Sequence, residues 1–351
     1  MAPEPVSSTA QAPEGAAAPQ ADGAAARRRW SSRALEFALA RRELSIAVVA
    51  IALYFYFLNT ATNFASTENL QTLGTFIAAT AIIAAGQVFL MISGEIDLSV
   101  GQVFALTAFV MYFLDDAGVP LMLAVVLALI GASLIGLVNG VITTVIGVSS
   151  FITTLGAFFF LNGLTLTISD GRPVDTPGGE QFTEIFGGGA YSGILWAIGL
   201  TLALQLLLMR TRWGLHTFAV GGNLLGSREA GIRVRWVKTR NFMLASTLAG
   251  FAGIIEAVRI TSTDPLAGGS GIMFAAIASA VIGGTLLAGG SGTVLGAFLG
   301  ACVLGILRDG FTLQGVSAFT FDLILGIAIL VAMIVDIYVT RIRNRGGRGE
   351  T

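Results

Sequence analysis

Two carboxylates stand two residues apart, Glu95 and Asp97, in the stretch Ser93-Gly-Glu-Ile-Asp-Leu-Ser99, with long apolar runs on either side. A carboxylate at hydrocarbon depth is costly and faces a cavity, an interface or a partner. The pair therefore reads as part of the wall or gate of a route through a membrane. The same residues suit a surface turn in which one of them caps the helix that begins near Leu98, and the two roles are compatible. The apolar runs beside them hold no Lys, Arg or His as companion, which argues against proton coupling. Gln87, Gln102, Asn139 and Asn162 place amides inside other apolar runs. Such amides can bond the hydroxyls of a passing solute or bond across helices. Glu256 and Arg259 fall three residues apart on one helix face and should pair.

Other chemistries are excluded by inventory. The 351 residues include one histidine, His216, and one cysteine, Cys302, so neither a zinc-protease motif nor a thiolate cluster can form, and no metal site is expected. The single lysine, Lys238, does not follow a glycine-rich loop, so there is no phosphate loop for ATP. No cofactor and no catalytic residue is expected. A net charge of −1 leaves no overall footprint for nucleic acid.

These residues have to be positioned by helices in lipid. Only 12% of the chain is charged, where globular chains carry about 25%, and 45 glycines allow close helix approach. The expected fold is an all-α membrane protein of about ten transmembrane helices, some broken or re-entrant. The segments lie at about 44–62, 70–92, 99–115, 119–146, 150–168, 190–209, 241–261, 272–288, 292–308 and 320–340 by the rule of roughly twenty residues per span. Residues 1–43 read as a disordered tail, 44–340 as the membrane domain and 341–351 as a basic tail. Arginines cluster before residue 44, in 210–240 and after 340, whereas 169–189 carries Asp170, Asp175, Glu180 and Glu184 against Arg172. Ten spans place the basic regions and both termini in the cytoplasm and the acidic loop outside.

Within 210–240, Asn223 can cap a short helix, Leu224 and Leu225 give it an apolar face, and Gly231 can end it. Such a protruding helix can dock another protein or lie on anionic membrane lipid. The glycines at 283, 284, 289, 290, 292, 296 and 300 read as architecture, within the subunit or at a dimer seam. The segment 92–101 lines up loosely with 287–296, as an internal repeat would.

Four stretches carry a family resemblance. Gly94-Glu-Ile-Asp-Leu-Ser-Val-Gly101 is similar to a Gly-Gly-Ile-Asp-Leu-Ser-Val-Gly signature, with Glu95 in place of the second glycine. Ser150-Phe-Ile-Thr-Thr-Leu-Gly156 through Ser169-Asp-Gly-Arg-Pro173 matches a mid-chain signature. Phe218-Ala-Val-Gly-Gly-Asn223 with Ser227 to Ile232 matches a cytoplasmic loop. Val281 to Gly292, followed by Leu307 to Val316, matches the C-terminal third. Together they resemble the permease subunit of bacterial monosaccharide ABC importers of the ribose/xylose type. The resemblance implies a second permease copy, a cytoplasmic ATP-binding subunit and an extracytoplasmic sugar-binding protein as partners. On that footing Gly222, Asn223, Ser227, Arg228, Glu229, Ala230 and Gly231 form the coupling helix that docks the ATPase. Asp170, Arg172, Asp175 and Glu180 lie where the binding protein docks, and Gln87, Glu95, Asp97, Asn139 and Asn162 are candidates for the sugar's route. Arg308-Asp309 replaces a more usual neutral pair. The rivals are an ion-coupled secondary sugar transporter and a permease of the same family for nucleosides or a furanose signal.

Overall fold

A computed structural model of the chain describes residues 42–317 and scattered positions from 319 to 334. Residues 1–41 of the tail expected at 1–43, the tail expected at 341–351 and most of the span expected at 320–340 lie outside the described residues.

Among the described residues, seven helices are long and apolar enough to cross a membrane. They are α1 (Arg42–Thr60), α2 (Thr67–Ile92), α4 (Leu121–Val141), α5 (Ser150–Ile168), α7 (Ser192–Arg210), α10 (Val234–Ile260) and α12 (Val294–Leu313). Shorter helices lie between them: α3 (Val100–Asp116), α6 (Glu180–Thr183), α8 (Arg212–Gly222), α9 (Leu224–Glu229) and α11 (Gly269–Ile282). Two residues of β1 (Val174–Asp175) pair antiparallel with β2 (Ser262–Thr263), tying the acidic loop to the turn after α10.

Local chemistry sets several boundaries. The Ser66 hydroxyl accepts from Asn69 N to start α2, Thr211 does the same for α8, and Thr293 for α12. Such caps satisfy backbone donors that have no partner inside the helix. Pro120 precedes α4, and Gly147 at φ 90° ends the π-helical turn, Ile142–Ile146, that prolongs it.

The centre of the molecule is α2, in which every residue from Ala81 to Ile92 is buried. It packs against α10, α12, α7 and α11. Small residues bring these helices to backbone contact: a Cβ at Gly86 would meet Ala245 Cα at 2.7 Å, and one at Gly300 would strike the Ser279 carbonyl. The glycines of α12 therefore serve packing inside the subunit. On the outside, α4 exposes Val126, Ile130, Leu134 and Val138, and α5 exposes Ile152, Phe159 and Phe160. Apolar surface of that extent needs hydrocarbon or another protein to cover it.

Three expectations are corrected. The region 210–240, where one short helix after Asn223 was expected, is helical for most of its length, because α8 and α9 fill 212–229 and α10 already begins at Val234. The span expected at 272–288 is helical only to Ile282, and 283–293 is irregular, with glycines at positive φ at 284, 289 and 290. The span expected to end at 308 continues to Leu313.

Candidate functional site

The link from α2 to α3 turns back into the protein. Ser93 is buried, Gly94 is exposed at φ 78°, Glu95 and Ile96 are half-buried, and Asp97 through Ser99 are buried again. Gln87, one α2 turn before the break, spans it: its Nε2 donates to Asp97 O at 2.5 Å and its Oε1 accepts from Asp97 N at 3.4 Å. The Asp97 carboxylate accepts from Ser99 N at 2.8 Å and Ser99 Oγ at 2.6 Å, and Ser246 of α10 donates to its other oxygen at 3.5 Å. Asn139 of α4 donates to Ser99 Oγ at 2.9 Å.

Three predicted route residues, Gln87, Asp97 and Asn139, thus join Ser99 and Ser246 in one buried network that fastens four helices. A buried carboxylate is tolerable where donors surround it, and here they order the backbone just before α3. Asn162, on α5, is half-buried and lies outside this network.

Glu95 leaves the network and pairs with Lys238, Oε1 to Nζ 2.5 Å, with both side chains at most 15% exposed. The absence of a cationic companion inferred from the apolar runs is therefore corrected. Lys238 lies 143 positions away, and it enters because α10 starts earlier than its hydropathy suggests.

Beside this ion pair a second polar cluster ties α8 to the end of α2. Asn241 Nδ2 donates to Phe89 O at 3.0 Å, to Ser93 Oγ at 3.3 Å and to Thr217 Oγ1 at 3.4 Å, while its Oδ1 accepts from Trp213 Nε1 at 2.7 Å. The Arg240 guanidinium lies 4.8 Å above the Trp213 ring. Next to it three main chains touch. Gly290 N donates to Ile92 O at 2.8 Å, and a Cβ on Gly221 would collide with that same carbonyl and come within 2.7 Å of Gly290 N. The segments 92–101 and 287–296 thus share one feature, in that each breaks a helical path and the two breaks meet. Sequence reasoning missed Ser99, Ser246, Lys238 and Asn241; a polar residue opening an apolar run was the available signal for Asn241.

The short helix α9 projects from this junction. Asn223 Oδ1 accepts from Gly226 N at 2.9 Å, and Gly231 takes φ 78° to end the turn. Ser227 is buried, whereas Gly222, Asn223, Arg228, Glu229, Ala230 and Gly231 are exposed, as are Leu224 and Leu225. Val220, Val234 and Val237, with Ile232, form the apolar foot beneath it.

In the acidic loop, Asp170, Arg172, Asp175 and Glu180 are all exposed. The loop is held by Thr176, whose hydroxyl donates to Ala257 O at 3.0 Å, and by Phe186 stacked between Phe182 and Trp196. Glu256 and Arg259 pair as expected, through bonds of 2.6 and 2.9 Å. Asp309 accepts from Asn69 at 2.7 Å, and Arg308 lies over the Phe76 ring. Two cavities, of about 10 and 20 Å³, flank Glu256. Both are of water size, well below the several hundred Å³ of typical small-molecule sites. Among the described residues, no three or more His, Cys, Asp or Glu side chains gather as a metal site would require.

The described residues form a multi-pass helical protein with a broken, polar-stitched centre and a short exposed helix beside it. Comparison with known proteins makes this specific. Residues 69–333 match a family described as the branched-chain amino acid transport system / permease component, and the chain belongs to that permease family. It is similar to a xylose/arabinose import permease protein of Sulfolobus acidocaldarius, 38% identical over 311 residues that cover 85% of each chain. It is also similar to the ribose import permease protein of Escherichia coli K12, 35% identical over 78% of this chain and 87% of that one. An inner membrane ABC transporter permease protein of the same strain is 36% identical over 67% of this chain and 72% of its own. No solved structure matches the chain significantly.

Proposed function

We propose that this chain is the membrane subunit of an ATP-driven importer that moves a monosaccharide across the inner membrane. The observation that carries the reading is similarity along most of the chain to permeases named for xylose, arabinose and ribose import. The family description speaks of amino acids, but two of the similar permeases reported above are named for sugars. The protein itself hydrolyses nothing, and energy enters from a separate ATP-binding subunit.

In this reading about ten helices span the membrane with both termini in the cytoplasm, α3 and α11 adding to the seven long ones. The helix α9 with its flanking residues, 222–231, is the coupling segment. Its exposed Leu224, Leu225, Arg228 and Glu229 give it the apolar and charged surface that a docking groove recognises. Asp170, Arg172, Asp175 and Glu180 receive the sugar-binding protein on the opposite face. A second permease copy completes the route. Gln87, Asp97 and Asn139 hold the wall of that route in shape, and Glu95 sits at its coupling-helix end. Asn162, on the exposed α5, faces the second copy. The test is reconstitution in liposomes with the ATPase and candidate binding proteins. ATP-dependent uptake of D-xylose, L-arabinose or D-ribose is expected, and uptake by this chain alone down an ion gradient would overturn the assignment.

A further inference from the structure

The segment 222–231 is joined to the fold by two helices, and both grip the same short stretch, residues 89–97. Trp213, Thr217 and Gly221 are spaced four apart and share one face of α8. That face lies on the last turn of α2. The Trp213 ring meets the Phe89 ring edge-on with centroids 5.9 Å apart, and Gly221 comes so near the Ile92 carbonyl that no Cβ fits. On the other side of the segment, α10 reaches the same stretch three times. Lys238, about one turn after Val234, pairs with Glu95. Asn241 donates to Phe89 O and Ser93 Oγ while bonding Trp213 and Thr217 of α8, so it joins all three helices. Ser246 donates to Asp97.

These contacts leave little slack. Phe89 O, Ile92 O and the Gly221 backbone are main chain, and no change of rotamer moves them aside. An ion pair held largely out of water is costly to part, because each charge is then left without its partner. Close-packed elements of this kind shift together instead of deforming. A displacement of 222–231 therefore carries 89–97 with it. Asp97 hands the displacement on, since its carboxylate bonds Ser99 before α3, and Ser99 bonds Asn139 of α4.

We propose that Glu95 and Lys238 are positioning residues of the transport cycle, and that with the Trp213 face of α8 they make 89–97 the part of the route that the docked ATPase moves. Glu95 acts on the solute only through the backbone that follows it. This rests on the reading of 222–231 as the coupling segment and adds which part of the route that segment drives.

The first test needs no substitution. Hydrogen exchange is measured on the wild-type transporter with its ATPase in lipid nanodiscs, without nucleotide and trapped with ATP and vanadate. Peptides covering 222–231 and 89–99 should change their protection together. A response at 222–231 with none at 89–99 refutes the link and leaves the coupling segment standing. No response at 222–231 removes the coupling reading, and the link falls with it. The second test exchanges the charges in liposomes, with D-ribose, D-xylose and L-arabinose as probes. Glu95→Lys and Lys238→Glu should each cut the sugar taken up per ATP hydrolysed about tenfold, the scale on which coupled sites affect one another. Combining the two restores opposite charges across the same gap and should recover most of the ratio. Glu256→Gln, which breaks an ion pair elsewhere on α10, should leave the ratio alone. A pair that only stabilised the fold would lower the yield of assembled transporter and keep the wild-type ratio in what assembles, and that result refutes the proposal. If the single variants do not assemble, or none of the three sugars is imported, the exchange measurement decides.

Discussion

Replacing Asp97 separates two roles for the residue, a fastening for the α2–α3 break or a group the solute meets. Alanine there removes the acceptor of Ser99 N and of Ser99 Oγ, both buried. A buried donor left unpaired costs about 1–3 kcal/mol, so Asp97→Ala should lose about 2–5 kcal/mol and lower the unfolding midpoint by roughly 5–15 °C. Asp97→Asn keeps an oxygen in the same place and offers an N–H toward Ser246, so it loses only the charge assistance, about 1 kcal/mol. Thermal unfolding in lipid nanodiscs, read by intrinsic fluorescence alongside ATP-driven uptake, distinguishes the two. The expected order is wild type, then Asn closely behind, then Ala well below, with uptake following stability. An Ala variant that melts with wild type yet fails to transport would refute the fastening role and make Asp97 a residue of the solute's path.

Further outcomes are expected elsewhere. Glu95→Gln and Lys238→Met should each destabilise the fold, and the double variant should recover part of the loss, with a coupling of about 1–2 kcal/mol in a double-mutant cycle of melting midpoints. Additive losses would mean that the 2.5 Å pair contributes nothing. Asn223→Ala should lose about 1 kcal/mol of helix capping and weaken ATPase co-purification, whereas Asn223→Ser should restore it. Glu229→Ala should leave the fold intact and lower uptake per ATP hydrolysed; an unchanged ratio would remove that residue from the docking surface. Gly221→Ala should fail to yield folded protein on size-exclusion chromatography, because its Cβ lands on the Ile92 carbonyl.

Features within a few residues of one another were legible from the chain. The Asn223 cap, the Gly231 stop and the Glu256–Arg259 pair all follow from helix geometry over three to eight positions, and the structure has them. The polar residues Gln87, Asp97 and Asn139 were recognisable as unusual, because an amide or carboxylate in an apolar run needs a partner. Which partner was not recognisable. Lys238 and Glu95, or Ser246 and Asp97, are brought together only when α10 folds against α2, and no local periodicity encodes that. Asn162 looked equivalent to Asn139 in sequence, but α5 is an outer helix while α4 packs along α10. Hydropathy also misplaced the start of α10, since Arg235, Lys238 and Arg240 mask a helix that has already begun.

The touching main chains at Ile92, Gly221 and Gly290 have an evolutionary consequence. Where side chains meet, a lineage can exchange a large residue for a small one and compensate opposite. Where peptide groups meet there is no side chain to trade, so Gly221 and Gly290 allow no gradual path to other residues. Divergence in what such a transporter carries is then expected elsewhere, on side chains free to vary, and Gly221 and Gly290 are expected to stay glycine from one specificity to the next.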